Sequence, residues 1–294
     1  MINLSRQEVQ AVLEVPTWNM DTLKHIEKVG RICYQSEGKI AEGTAEKFSL
    51  KLFELNHNAM IEHSWLVLEV RSWDEDINEV ISAFENHKFI RTFYKNGYTY
   101  FSGNWRAYIE CLDKVGNKEF FLNMPHSVIN EIEAFNVLFN IKQDISIVLG
   151  EDIPEEIRAY TVILKTDRAV SHELVRHRPA SFAQESQRYV AYREDVEFII
   201  PEHYNDPDSE AFKMWVRMME MTEKVYKYLL KTESPQQARS VLPNCTATQI
   251  AITTDTLEWE LIFGLRTSKA AYGPMRNIMN QIKIKMESLN SYFK

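Results

Sequence analysis

No Gly-x-Gly-x-x-Gly and no Gly-x-x-x-x-Gly-Lys occurs in this chain. The first absence excludes a Rossmann dinucleotide site and the second a phosphate-cradling P-loop. Cysteine is scarce: Cys33, Cys111 and Cys245 are far apart, odd in number and lack a Cys-x-x-Cys pair. Neither a disulfide framework nor a thiolate zinc site is expected from them. With only 9 Gly and 9 Pro there is no Pro/Gly/Ser-rich linker, so 294 residues make one large domain or two modest ones. No apolar run approaches a membrane span. Met1 to Val15 contains Arg6 and Glu8 and has no signal-peptide core, so a cytoplasmic location is expected. A basic balance is also missing. The net charge of −8 argues against a nucleic-acid polymer as ligand but leaves room for a small anion in a local basic pocket.

The composition is otherwise that of an ordinary soluble protein, 45% hydrophobic and 26% charged. Periodicity predicts helices near 20–33, 43–57, 76–95, 126–149, 209–232 and 274–291. The clearest is 209–232, where Phe212, Trp215, Val216, Met219, Val225, Tyr226 and Leu229 recur at helical spacing. Met275, Ile278, Met279, Ile282, Met286 and Leu289 form a similar stripe, read as core or subunit interface rather than a cofactor box. Strands are expected at Trp65–Arg71, Arg158–Lys165, Glu197–Pro201 and Ala247–Thr254. Helices and strands intermix without a βα repeat, so the class is α+β.

Against this acidic background, Arg168, His172, Arg176, His177, Arg178, Arg188 and Arg193 crowd into one segment with no Lys among them. Arg carries a planar fork of donors that matches phosphate and carboxylate oxygens. A solvated basic face balanced by Glu173, Glu185 and Glu194 is the plain alternative. The interleaved Leu174, Val175, Ala180, Phe182 and Ala183 argue for a partly buried anion site instead. His172 and His177 are five residues apart, which turns two helical imidazoles about 140° from each other and disfavours a shared zinc. Ser186 has no local base to make it a nucleophile. As a hydrogen-bond donor to a phosphate beside Arg188 it needs no activation.

The segment Arg176-His177-Arg178, seven residues, then Ser186-Gln187-Arg188-Tyr189 resembles the signature of the flavin-dependent thymidylate synthase family. Further stretches match in the same order. They are Asn56 to His63, Ser102 to Ala107, Thr166 to Leu174, Ala238 to Pro243 and Leu265 to Ala271. The resemblance implies one domain over 1–294 with a mixed sheet flanked by helices, assembled as a homotetramer with active sites between subunits. It implies reductive methylation of dUMP to dTMP, using 5,10-methylenetetrahydrofolate, FAD and NADPH. By the same resemblance, Arg266 is the catalytic cation at the pyrimidine ring edge, where it stabilises the anion left when N3 loses its proton. The nucleotide would be held by His172, Glu173, Arg176, Gln184, Glu185, Ser186, Gln187, Arg188 and Arg239. FAD would be contacted by His57, Glu62, Arg176, His177, Arg178, Gln184, Asp255 and Leu261.

The chain departs from the family where flavin contacts are usual. It carries Asp255, Leu257 and Leu261 where Asn, Arg and Asn or His are common, and Ala59 replaces a Ser or Thr. A carboxylate near a diphosphate and the loss of an Arg should weaken flavin binding. Two other readings stay open: C5 methylation or hydroxymethylation of another pyrimidine nucleotide such as UMP or dCMP, and a nucleotide-binding relative that has lost its flavin.

Overall fold

The structure is a computed structural model and describes residues 2–17, 20–55, 57, 59–70, 78–114 and 145–294. Its centre is an antiparallel sheet ordered β2 (Glu8–Glu14), β7 (Ala159–Asp167), β10 (Ala247–Asp255) and β8 (Ser181–Gln184). The two middle strands read AYTVILKTD and ATQIAITTD and are buried almost throughout. Such unbroken β-branched runs arise when both faces of a sheet are covered. Alternation then assigns the faces. Tyr160, Val162, Leu164, Ile250 and Ile252 pack under α8 (Thr256–Arg266) and α9 (Gly273–Glu287), against Trp259, Phe263, Met275, Met279 and Met286. Ile163, Ala251 and Ala183 point the other way, onto Val29 and Ile32 of α1 (Met20–Ile32).

A second antiparallel sheet runs β4 (Ile90–Lys95), β5 (Tyr98–Gly103), β3 (Leu66–Val70) and β6 (Ile145–Ile147). It packs with α3 (Asn78–Glu85) and α4 (Trp105–Lys114) around Phe84, Phe101, Trp105 and Tyr108. Helix α1 serves both cores, since Leu23 and Ile26 enter this second cluster. Leu52 of α2 (Thr44–Glu54), the helix beside α1, joins them there. Val15, Trp65, Val67, Tyr100, Ile157 and Ala159 form a further cluster drawn from both sheets. A short parallel pair, β1 (Asn3–Ser5) with β9 (Glu197–Ile199), forms a separate two-stranded sheet beside the central one. The α+β class is what the sequence predicts. No helix among the described residues is long and apolar enough to cross a membrane.

One expected helix is corrected. Over 76–95 the chain forms α3 and then strand β4, because Asn96 and Gly97 take φ of +53° and +85° and turn a two-residue hairpin into β5. Left-handed Asn-Gly loops match the twist of paired strands. The helix expected at 126–149 lies outside the described residues up to 144, and 145–147 is strand β6. The expectation at 209–232 becomes α6 (Glu210–Leu229), with Ser209 accepting from the Phe212 amide as its cap.

The two ends of the central sheet set where the candidate polar side chains emerge. Strand β7 ends at Asp167, whose carboxylate accepts from the Val170 amide at 2.8 Å and starts α5 (Arg168–Leu174). Strand β10 ends at Asp255, at the opposite end of the same ladder, and caps α8 through the Glu258 amide at 2.8 Å. Helix α8 therefore runs back along the sheet for about 16 Å, at about 1.5 Å per residue. Its last residue, Arg266, arrives at the end of α5.

Candidate active site

Arg266 is held from three directions. Its Nε donates to His177 Nε2 at 2.9 Å, Nη1 donates to Glu173 Oε2 at 2.8 Å, and Nη2 donates to the Glu173 carbonyl at 3.1 Å. A guanidinium has five N–H groups, so one proton remains on each terminal nitrogen of a side chain that is 21% exposed. Burial, and then the Arg266 charge, lowers the His177 pKa to about 4. That ring is neutral near pH 7, as an acceptor at Nε2 must be. His172, Arg176 and Arg178 surround this clamp in sequence and stand exposed.

The stretch after β8 makes a second group. Gln184 Nε2 donates to Ser171 Oγ at 2.8 Å and Thr248 Oγ1 at 3.2 Å. Glu185 is buried and accepts from the Tyr192 hydroxyl, while its carbonyl accepts from Arg168 Nη2 at 3.0 Å. Desolvation raises the Glu185 carboxyl above its ordinary range, against the lowering effect of Tyr192 and Arg168. The Ser186 amide donates to the Cys33 carbonyl at 3.0 Å, which ties this loop to the end of α1. Ser186 Oγ accepts from the Arg188 amide at 3.3 Å. Arg188 Nε donates to Gln236 Oε1 at 3.2 Å, on the short helix α7 (Pro235–Ala238) that leads into exposed Arg239. Arg168 lies nearby; burial lowers its pKa, and Arg239 adds to the lowering. Gln187 Nε2 and Arg168 Nε are buried without a hydrogen-bond partner among the described residues.

Other expected residues fall elsewhere. His57 is exposed, and Glu62 receives Arg106 Nη1 at 2.6 Å. Asp255 is 4% exposed and receives Arg91 Nε at 2.6 Å and Nη2 at 3.1 Å. Its charge is thus matched inside the fold. Leu261 is 59% exposed. A cavity of about 580 Å³ opens beside Glu185, lined also by Tyr192, Lys165, Gln35, Gln249 and Arg193; of the residues expected to hold nucleotide or flavin, Glu185 alone lines it. Sequence reasoning misses Tyr192, Arg91 and Gln236. Tyr192 lies close after the signature and is within reach of it, whereas Arg91 lies 164 residues from its partner.

Fold and site define an α+β protein that presents a cluster of Arg donor forks around one fixed guanidinium. Residues 148–289 match the family described as thymidylate synthase complementing protein. The matched stretch holds Arg266 and the whole Arg-His-Arg segment. The chain is 36% identical over 146 residues to a flavin-dependent thymidylate synthase of Pyrococcus abyssi, covering 47% of this chain and 59% of the relative. It is 33% identical over 157 residues to that of Thermococcus onnurineus, covering 50% and 64%. For Corynebacterium efficiens the identity is 35% over 133 residues, covering 40% and 52%. The chain thus spans about half to under two thirds of the length of these relatives. A crystal structure of a UMP/dUMP methylase, PolB from Streptomyces cacaoi, bound with 5-Br dUMP, matches at 23% identity and a TM-score of 0.39, covering 46% of this chain and 69% of that one.

Proposed function

We propose that the chain is a flavin-dependent thymidylate synthase that methylates C5 of dUMP, with methylenetetrahydrofolate as carbon donor and NADPH as reductant. The observation that carries this reading is Arg266, fixed within the family-matched segment and left with two outward-capable N–H donors. A planar cation at the O2/N3 edge of a uracil ring stabilises the charge that develops there, most strongly where water is excluded. Ser186 and Arg188, the latter bonded to Gln236, together with exposed Arg239 three residues beyond Gln236, would offer a hydroxyl and two forks to a 5′-phosphate. Gln184, Glu185 and Gln187 flank Ser186 in the same segment and would complete the nucleotide site.

The residues fit FAD in part. Exposed Arg176 and Arg178 suit a diphosphate, and exposed His57 and the Arg106-bound Glu62 would add polar contacts. Asp255, buried against Arg91, offers it nothing, and Leu261 offers only apolar surface. The flavin, when bound, supplies the redox chemistry, while the protein supplies position and charge. We further propose that 1–294 acts as one domain in a homotetramer. Calorimetry on the purified protein tests the phosphate grip: dUMP should bind at least about tenfold more tightly than deoxyuridine, and Arg239→Ala should remove most of that difference. Equal binding of nucleoside and nucleotide would place the phosphate elsewhere.

A further inference from the structure

The loop that carries Ser186 and Arg188 is closed at its neck by two side chains, Glu185 before it and Tyr192 after it. We infer that Tyr192 is a positioning residue: its hydroxyl clasps the Glu185 carboxylate and so holds Ser186 and Arg188 in place for a phosphate. The inference takes the phosphate grip from the proposed function and the clasp from geometry alone.

Glu185 follows β8, and its amide donates to the Gln249 carbonyl at 2.9 Å, so the near side of the neck is anchored to the central sheet. Tyr192 closes the far side. Its amide donates to the Tyr226 hydroxyl of α6 at 3.4 Å, and the two rings stand 5.9 Å apart. The Tyr192 hydroxyl then reaches back across the neck to Glu185 Oε1. Glu185 is 6% exposed, and Arg168 and Gln35 stand against its carboxyl. Gln35 is brought there by a left-handed turn after α1, at φ +47°, a region that few non-glycine residues enter. Arg168 also donates to the Glu185 carbonyl through Nη2.

Between these two posts the chain turns tightly. The Tyr189 and Val190 amides both donate to the Ser186 carbonyl, at 3.1 and 2.9 Å. These bonds shape the turn, and the Glu185–Tyr192 contact joins its two ends. Burial, and then the neighbouring carboxylate, raises the Tyr192 phenol well above its usual range, so it keeps the proton that it donates. A buried carboxylate as acceptor makes this a strong hydrogen bond. A loop already held in its binding shape loses less freedom when a ligand arrives.

Two measurements on the same variants test the assignment. Tyr192→Phe removes the hydroxyl and keeps a ring beside Tyr226. In the ligand-free protein, hydrogen exchange at the Tyr189 and Val190 amides should then quicken at least about tenfold, with the β10 amides unchanged. Calorimetry should find dUMP binding weakened at least about fivefold while deoxyuridine binding stays within about twofold. A merely structural tyrosine would lower the melting temperature without that selectivity. The single variant strands a buried carboxylate, so Tyr192→Phe with Glu185→Gln is measured beside it and should show both effects in a folded protein. Glu185→Gln alone keeps an oxygen for the Tyr192 hydroxyl and should retain most of the protection. Wild-type exchange at both amides in the two Phe variants, or equal weakening for nucleotide and nucleoside, overturns the inference. If the wild type itself binds dUMP and deoxyuridine equally, the phosphate reading fails, and the exchange rates alone decide on the clasp.

Discussion

Arg91 and Asp255 join the two four-stranded sheets through a two-pronged ion pair, from strand β4 to the last residue of β10. Glu258 Oε2 stands 3.9 Å from the same guanidinium. Asp255 also caps α8, so one carboxylate supports an inter-sheet contact and the helix that carries Arg266. Asp255→Ala removes the cap and leaves a partly buried Arg without its main partner. We expect a loss of about 2–3 kcal/mol, below the full buried-pair figure because Arg91 retains some water and Glu258. Asp255→Asn keeps a cap acceptor and should fall between. Urea midpoints at constant m-value measure both, and an Ala variant as stable as wild type would contradict the role. The same residue shows why the surroundings of a carboxylate are only partly legible in the sequence. The sequence displays a carboxylate where the family favours an amide, and it cannot display the Arg 164 positions away that absorbs its charge.

Beneath α1, elements are stitched by a buried chain of side chains. His25 Nε2 meets Thr161 Oγ1 at 2.8 Å, Thr161 meets Thr253 at 2.5 Å, and Thr253 meets His63 Nδ1 at 2.7 Å. Thr161 and Thr253 face each other in the β7–β10 ladder. Two hydroxyl protons cannot supply three hydrogen bonds, so one imidazole N–H must donate. The chain ties α1 and the 61–63 turn, which carries Glu62, to the central sheet. Thr253→Val keeps the shape and strands the groups on either side, at a cost of about 1–3 kcal/mol. A melting temperature unchanged from wild type would show that the chain contributes nothing. Such links are invisible in sequence, because each member reads as a plain Thr or a core His. Elements with a strong local period are legible: α6 and β10 fall within a few residues of expectation. The β4–β5 hairpin escapes a reading by periodicity although Asn96-Gly97 announces it, since the apolar spacing before it also fits a helix.

Taken as one cooperative unit, the protein should unfold early in acid. His25 and His177 are lowered to about 4 and His63 to about 3, chiefly by burial. Each is neutral when folded and gains its proton near 6.5 when unfolded. Their contribution is therefore complete above about pH 6.5 and is lost as pH falls towards 4. Three such protons give a slope of up to about 4 kcal/mol per pH unit. Asp167, Glu185 and Glu258, raised by burial, act with the opposite sign and reduce that slope. Replacing His25 with Gln should shallow the wild-type dependence between pH 6.5 and 4 by about 1.4 kcal/mol per unit. Chemical denaturation across that range checks it, and parallel curves would mean that His25 is not held neutral.

The proposed activity turns on what the assembled residues do to a pyrimidine, and product mass reads that directly. Purified protein carrying its flavin is incubated with dUMP, methylenetetrahydrofolate and NADPH, and the nucleotide pool is analysed by mass spectrometry. The expected result is conversion of dUMP to a product with one methyl group in place of hydrogen, dependent on every component. Conversion should be strongly reduced in Arg266→Lys, which keeps the charge but loses the fork. Unchanged dUMP from protein that binds both flavin and nucleotide, or a hydroxymethylated product, would contradict the assignment.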